Sequence, residues 1–149
     1  MAKVIGVIFE KNNECGDFNW MIKQHEYNDS LFIFNDNIEW HKLSFSSGGN
    51  ACVRNYNKYG EYKNYPQSAG ISTGTFKDMG FKKLTPEVKE IIDNEINEII
   101  ELIKIHKYKR IFYSQDKLIK TPKIGTKIFV VTDDVLDYIL MKIYELEKI

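Results

Sequence analysis

A run of four apolar residues, Leu31-Phe32-Ile33-Phe34, stops abruptly at Asn35-Asp36-Asn37. Four large apolar side chains in succession leave neither face of a strand polar. Such a strand is typical of a sheet covered on both sides. The pattern recurs along the chain. Ser68–Ser72 reads as a short strand leading into Thr73-Gly74-Thr75, and Lys109–Tyr113 as one ending in Ser114-Gln115-Asp116. Ile124-Gly125-Thr126 precedes a further expected strand, Lys127–Val131, and residues 3–10, rich in Val and Ile, read as the first.

Helical segments separate these runs. The clearest is predicted from Pro86 to about Lys104. Thr85 is placed to serve as N-cap, with Pro86 at the first helical position. Val88, Ile91, Ile92, Ile96, Ile99 and Ile103 form one apolar stripe. Glu87, Glu90, Asp93, Glu95, Glu98 and Glu101 lie mainly off it and read as a solvated face. A last helix, capped by Thr132 or Asp133, carries Val135, Leu136, Tyr138, Ile139, Ile143 and Leu146. Gly49 to Tyr59 is a shorter helix candidate. Gly16 to Asn28 reads as a short helix or an irregular cover, and Tyr62–Gln67 and Thr75–Leu84 as loops. The alternation predicts one α/β domain with a mixed or largely parallel sheet flanked by helices.

Composition narrows the function classes. Lys plus Arg equal Asp plus Glu at 21 each over 149 residues, which argues against nucleic-acid binding driven by bulk charge. No run approaches the ~20 apolar residues of a membrane span. Met1–Phe9 is followed by Glu10-Lys11-Asn12-Asn13 without a small-residue cleavage site, so it reads as a strand and not a signal peptide. Two cysteines, Cys15 and Cys52, are too few for a disulfide framework. A reducing compartment follows as the simpler expectation.

The strand ends are where chemistry is expected. In open α/β sheets, ligands collect outside the carboxyl ends of the strands. Ser46-Ser47-Gly48-Gly49-Asn50-Ala51 looks like a glycine turn opening a helix, whose free N–H groups favour anions. Arg54 lies about one turn further on, within reach of a phosphate oxygen. The other reading of Gly48-Gly49 is a tight turn without a ligand. Asp36 and Asn37 can hydrogen-bond a base or ribose, or bond their own backbone in an Asx-turn. The candidate ligand-binding set is therefore Asn35, Asp36, Asn37, Gly48, Gly49, Asn50, Arg54, Ser72, Thr73, Gly74, Thr75, Ser114, Gln115, Asp116, Gly125 and Thr126.

Catalytic signatures are missing from the sequence. His25, His41 and His106 show no metal-ligand spacing, and there is no Walker A, GxGxxG or GxSxG pattern. Cys52 reads as a small buried hydrophobe. Asp36 and Asp116 are the only plausible general bases at strand ends. Tyr56, Tyr59, Tyr62 and Tyr65 recur every third residue, with Lys58 and Lys63 between them. They read as a partly buried surface flap, or as rings that cover a nucleobase.

The succession Leu31–Asn37, Gly48-Gly49-Asn50-Ala51 and Ser68–Gly74 resembles the macrodomain-like family of small bacteriophage proteins. In that family a strand ends in Gly-Asp-Asn, a Gly-Gly-Gln-Ala helix start follows, and then Gly-Ile-Pro-Thr. Gly80–Lys89 and Gly125–Phe129 look like its continuation, so the resemblance covers most of the chain after residue 30. Asn35, Asn50 and Ser72 stand here where the family tends to have Gly, Gln and Pro.

The resemblance implies an ADP-ribose-like ligand, with Asp36 and Asn37 near the base or ribose. Gly48, Gly49 and Asn50 would lie near the distal ribose or phosphate, and Gly125 and Thr126 near the pyrophosphate. It implies a cytoplasmic protein of a bacterial host, without cofactor or metal, that captures an immune nucleotide signal such as a cyclic ADP-ribose. The expected partner is a small nucleotide, with no nucleic acid and no membrane; a homo-oligomer stays open. The alternatives are an ADP-ribosyl hydrolase or phosphoesterase using Asp36 or Asp116, and an interaction module that inhibits a host enzyme through Tyr56–Tyr65.

Overall fold

Among the described residues, the buried runs form four strands of one parallel sheet: β1 (Lys3–Val7), β2 (Ser30–Asp36), β3 (Ser68–Ser72) and β4 (Arg110–Ser114), in spatial order β1-β4-β2-β3. The computed structural model describes residues 1–62, 64–116, 124–126 and 129–149. Alternation along the strands sends side chains to two cores. Leu31, Ile33, Ile71, Ile111 and Tyr113 pack on one face against α2 (Pro86–His106) and α3 (Asp133–Glu145). Phe32, Phe34 and Phe112 pack on the other, with Phe18 and Met21 of α1 (Phe18–Met21) and Val53 of a 3-10 helix, Gly49–Tyr56. Phe32 and Phe112 stack at 5.3 Å, and Phe18 meets Phe32 edge-on at 5.2 Å. The expected double cover of β2 is met, and the domain is α/β.

The long helix begins as its sequence dictates. The Thr85 hydroxyl accepts from the Val88 N–H at 3.2 Å, and Pro86 occupies the first turn. Thr85→Ala is expected to cost about 1 kcal/mol, the usual loss on removing such a cap. A few-degree fall in the thermal midpoint would show it. At the other end Lys107 takes the left-handed conformation, φ 53°, and its N–H bonds the Ile103 carbonyl.

Some expectations need correcting. The first strand ends at Val7 and not at residue 10: Gln115 N–H bonds the Val7 carbonyl, and pairing with β4 stops there. The expected helix Gly49–Tyr59 is a 3-10 helix ending at Tyr56, where Asn57 N–H bonds back to the Arg54 carbonyl. The expected strand Lys127–Val131 lies partly outside the described residues, as does Lys63. Its described part, Phe129 to Val131, is not a strand. There the Val130 N–H bonds the Met79 carbonyl, and the Val130 carbonyl accepts from Lys82. Glu95 is buried, so the acidic side of α2 is not uniformly solvated.

Both edge strands have an outward N–H covered by a carboxylate. Glu95 accepts from the Ser72 N–H at 2.6 Å on β3, and Glu147 from the Val4 N–H at 2.9 Å on β1. Among the described residues, no helix is long and apolar enough to cross a membrane.

Candidate functional site

The sequence-predicted residues divide into two groups. The first gathers at the carboxyl ends of the two central strands. β2 leads to the 3-10 helix on one face of the sheet, while β4 is followed by α3 on the other. In open α/β sheets, connections that part in this way mark the place where ligands collect. The Asn35 side-chain amide donates to the Gly125 carbonyl at 2.5 Å, and the Gly125 N–H to the Ser114 carbonyl at 3.0 Å. The Asn50 amide donates to Ser114 Oγ at 2.7 Å and to the Gly16 carbonyl at 3.1 Å, while its oxygen accepts from the Phe18 N–H. Asn50 therefore ties the start of the 3-10 helix to the end of β4 and to α1.

Gly48 and Gly49 are exposed beside it. Gly49 has φ +62°, and a Cβ at either glycine would meet nothing within 4 Å. Gln115 is anchored by its N–H on Val7, and Thr126 follows Gly125, half-buried. Asp116 is half-buried at the end of the same turn.

The second group is turned inward. Asp36 and Arg54 are both buried, Arg54 being 1% exposed, and they pair at 2.9 Å. Arg54 also donates to the Trp40 carbonyl at 3.1 Å, and its guanidinium lies 5.3–5.4 Å from the ring centres of Phe34, Trp40 and Phe45. Asn37 forms the Asx-type turn, its oxygen accepting from the Trp40 N–H at 2.9 Å. Thr73 bonds the Asp36 carbonyl through both N–H and hydroxyl. The Gly74 carbonyl accepts from the Ile38 N–H, and Thr75 Oγ1 from the Asp78 N–H. Ser72 gives its N–H and hydroxyl to Glu95 at 2.6 and 2.8 Å.

His41, which sequence reasoning passed over, sits at the centre of this inner group. Its Nδ1 lies 3.0 Å from Asp36 and 3.2 Å from Glu95, and its Nε2 lies 3.1 Å from Glu98. Burial alone would pull the imidazolium down. The hydrogen bonds to Asp36 and Glu98 and the charges of Glu95 and Glu98 outweigh it, and the pKa stands at about 10. Burial pushes Glu95 up to about 7, against the pull of His41 and Ser72. Burial also acts to raise Glu98, but its contacts with His41, Lys58 and Tyr59 hold it below the usual range. Tyr59, exposed but bonded to Glu98 at 3.1 Å, is raised to about 12 by partial desolvation and the neighbouring Glu98 charge.

A cavity of about 10 Å³ between His41, Tyr59, Glu95 and Glu98 has room for about one water.

A sequence signal for Glu95 existed. Positions 88, 92, 95, 99 and 102 advance by four and three residues, so the carboxylate lies within the apolar stripe, and all five side chains are buried. His41 carried no such signal.

The chemistry differs between the two groups. The inner one is saturated: Asp36 accepts from Arg54, His41 and the Asn37 N–H, which leaves it poorly disposed to act as a base. The outer one presents the exposed Gly48 and Gly49 beside open space, while the Asn35 and Asn50 amides and the Ser114 hydroxyl are half-buried and engaged within the protein. A separate groove of about 410 Å³ runs between α2 and the C-terminal turn, lined by Asp93, Asn97, Lys142, Glu145 and Ile149 among others. Set beside known proteins, the chain matches no family model, no curated protein and no solved structure.

Proposed function

We propose that the carboxyl ends of β2 and β4 bind a small ADP-ribose-like nucleotide in a macrodomain-like domain. In this reading the protein captures the nucleotide without turning it over, as a phage protein sequestering a host immune signal would. The observation that carries the reading is that hydrogen bonds bring Asn35, Asn50, Ser114 and Gly125 together at the strand ends, beside the exposed Gly48-Gly49 turn and between diverging connections. The open glycines allow close approach of phosphate oxygens to backbone N–H groups. The saturated Asp36 favours capture over the hydrolase alternative.

A thermal-shift screen against ADP-ribose, its cyclic isomers, NAD and cyclic dinucleotides tests this. A true ligand at a hundredfold excess over its dissociation constant stabilises by about 2.7 kcal/mol. Chromatography of the released ligand separates capture from turnover. Gly48→Trp enters open space at an ordinary φ of −69°, so it should abolish the shift while the protein stays folded. No shift with any of these nucleotides would remove the reading.

One observation favours the interaction-module reading, at a surface other than Tyr56–Tyr65. Phe45 and Phe76, 39% and 43% exposed, flank Trp40 at 4.7 and 4.5 Å, with Leu43 and Met79 also exposed. Aromatic side chains are enriched at interface cores. A pull-down that fails with Phe45→Ser and Phe76→Ser but survives Gly48→Trp would support it.

A further inference from the structure

We propose that residues 37–47 form a strap fastened over the edge of the sheet by His41, whose doubly protonated ring clamps carboxylates of β2 and α2 and whose deprotonation releases the strap. The strap has no regular secondary structure. Its backbone is held by a few bonds: Ile38 N–H to the Gly74 carbonyl, Arg54 to the Trp40 carbonyl, and Asn57 to the Leu43 carbonyl at 2.9 Å. Among the described residues, His41 alone joins it to α2 by ion-pair contacts, to Glu95 and Glu98.

Both ring nitrogens face carboxylate oxygens at 3.0–3.2 Å, so both are placed to donate. The groups around it come from every neighbouring element. They are Asp36 of β2, Arg54 of the 3-10 helix, Lys58 and Tyr59 beyond it, and Glu95 and Glu98 of α2. Ser72 of β3 adds a neutral donor to Glu95.

A neutral imidazole has one N–H and one lone pair. Losing the proton therefore turns one attraction into a lone pair facing a carboxylate. Among the described residues it also leaves three carboxylates with Arg54 and Lys58 as the cations paired to them. The strap runs straight into Gly48-Gly49, so its release would also loosen that turn. The latch nevertheless stands or falls independently of any ligand.

Nitrogen-15 NMR of the whole protein reads the ring directly, with His41→Gln assigning its resonance. The expected result is a doubly protonated His41 at pH 8. Hydrogen exchange at pH 7 reads the strap. In His41→Gln and Glu98→Ala, amides of 37–47 should exchange at least tenfold faster, with β2 and β4 unchanged. Should His41→Gln fail to fold, Glu98→Ala, at a quarter-exposed position, and the wild-type ring state still decide. A singly protonated His41 at pH 8, or strap exchange unchanged in the variants, overturns the proposal.

Discussion

Arg54→Ala is expected to cost about 3–5 kcal/mol, the range for removing one partner of a buried ion pair. The side chain is 1% exposed and pairs with an Asp36 carboxylate that is itself buried. Alanine would leave that carboxylate without its guanidinium and strip the Trp40 carbonyl of a donor. It would also empty the space under Phe34, Trp40 and Phe45, where the guanidinium stacks.

At about 2–4 °C per kcal/mol for a domain of this size, the thermal midpoint should fall by roughly 6–20 °C. The charge and packing parts can be separated. Arg54→Met keeps much of the volume, and combining it with Asp36→Asn removes the stranded charge. The double variant should therefore be more stable than the two single losses added together, by about 0.5–3 kcal/mol. Additive losses would mean that the pair contributes through packing alone.

Stability is also expected to fall as pH rises from about 5 to 10. Glu95 is raised from 4.5 to about 7 in the folded protein, and His41 from 6.5 to about 10. Both raised groups bind protons more tightly folded than unfolded. Their contribution is complete below the unfolded values and is lost as pH climbs through the folded ones. Glu95 governs roughly pH 4.5–7 and His41 roughly pH 6.5–10. Glu98, lowered when folded, works the other way, and its contribution fades only on acidification below its ordinary range.

Urea unfolding should therefore give its highest midpoint near pH 5–6 and a lower one at pH 9, with unfolding free energies that differ on the order of a few kcal/mol. Glu95→Gln should flatten the acidic part of this slope and His41→Gln the alkaline part. A midpoint that rises or stays level between pH 5.5 and pH 9 would contradict the charge assignment.

What could be read from the sequence were features set by near neighbours. Leu31–Phe34 announced a doubly covered strand, Ser68–Ser72 was delimited correctly, and Thr85-Pro86 marked the start of α2. Small polar residues at strand ends marked residues that the fold does bring together, Asn35 with Gly125 and Asn50 with Ser114. The inner cluster was not legible because distant pairs make it. Glu95 meets Ser72 across 23 residues and Glu98 meets His41 across 57. Arg54 suited a phosphate by its spacing from Gly49, yet the aromatic rings and Asp36 draw it inward. A lone histidine in an irregular segment gives no periodicity from which its partners can be inferred. Glu95 was the exception, a carboxylate standing in an apolar register.

The two carboxylates on the sheet margins, Glu95 at Ser72 and Glu147 at Val4, bear on how copies of this chain meet in a crowded cell. An unpaired strand margin offers a template on which another molecule can lay its own strand, the first step towards domain swapping and fibrils. Here an arriving strand would have to displace a side chain already bonded to the backbone. With a bonded side chain on each margin of the described strands, the sheet is made a poor seed for growth from either flank.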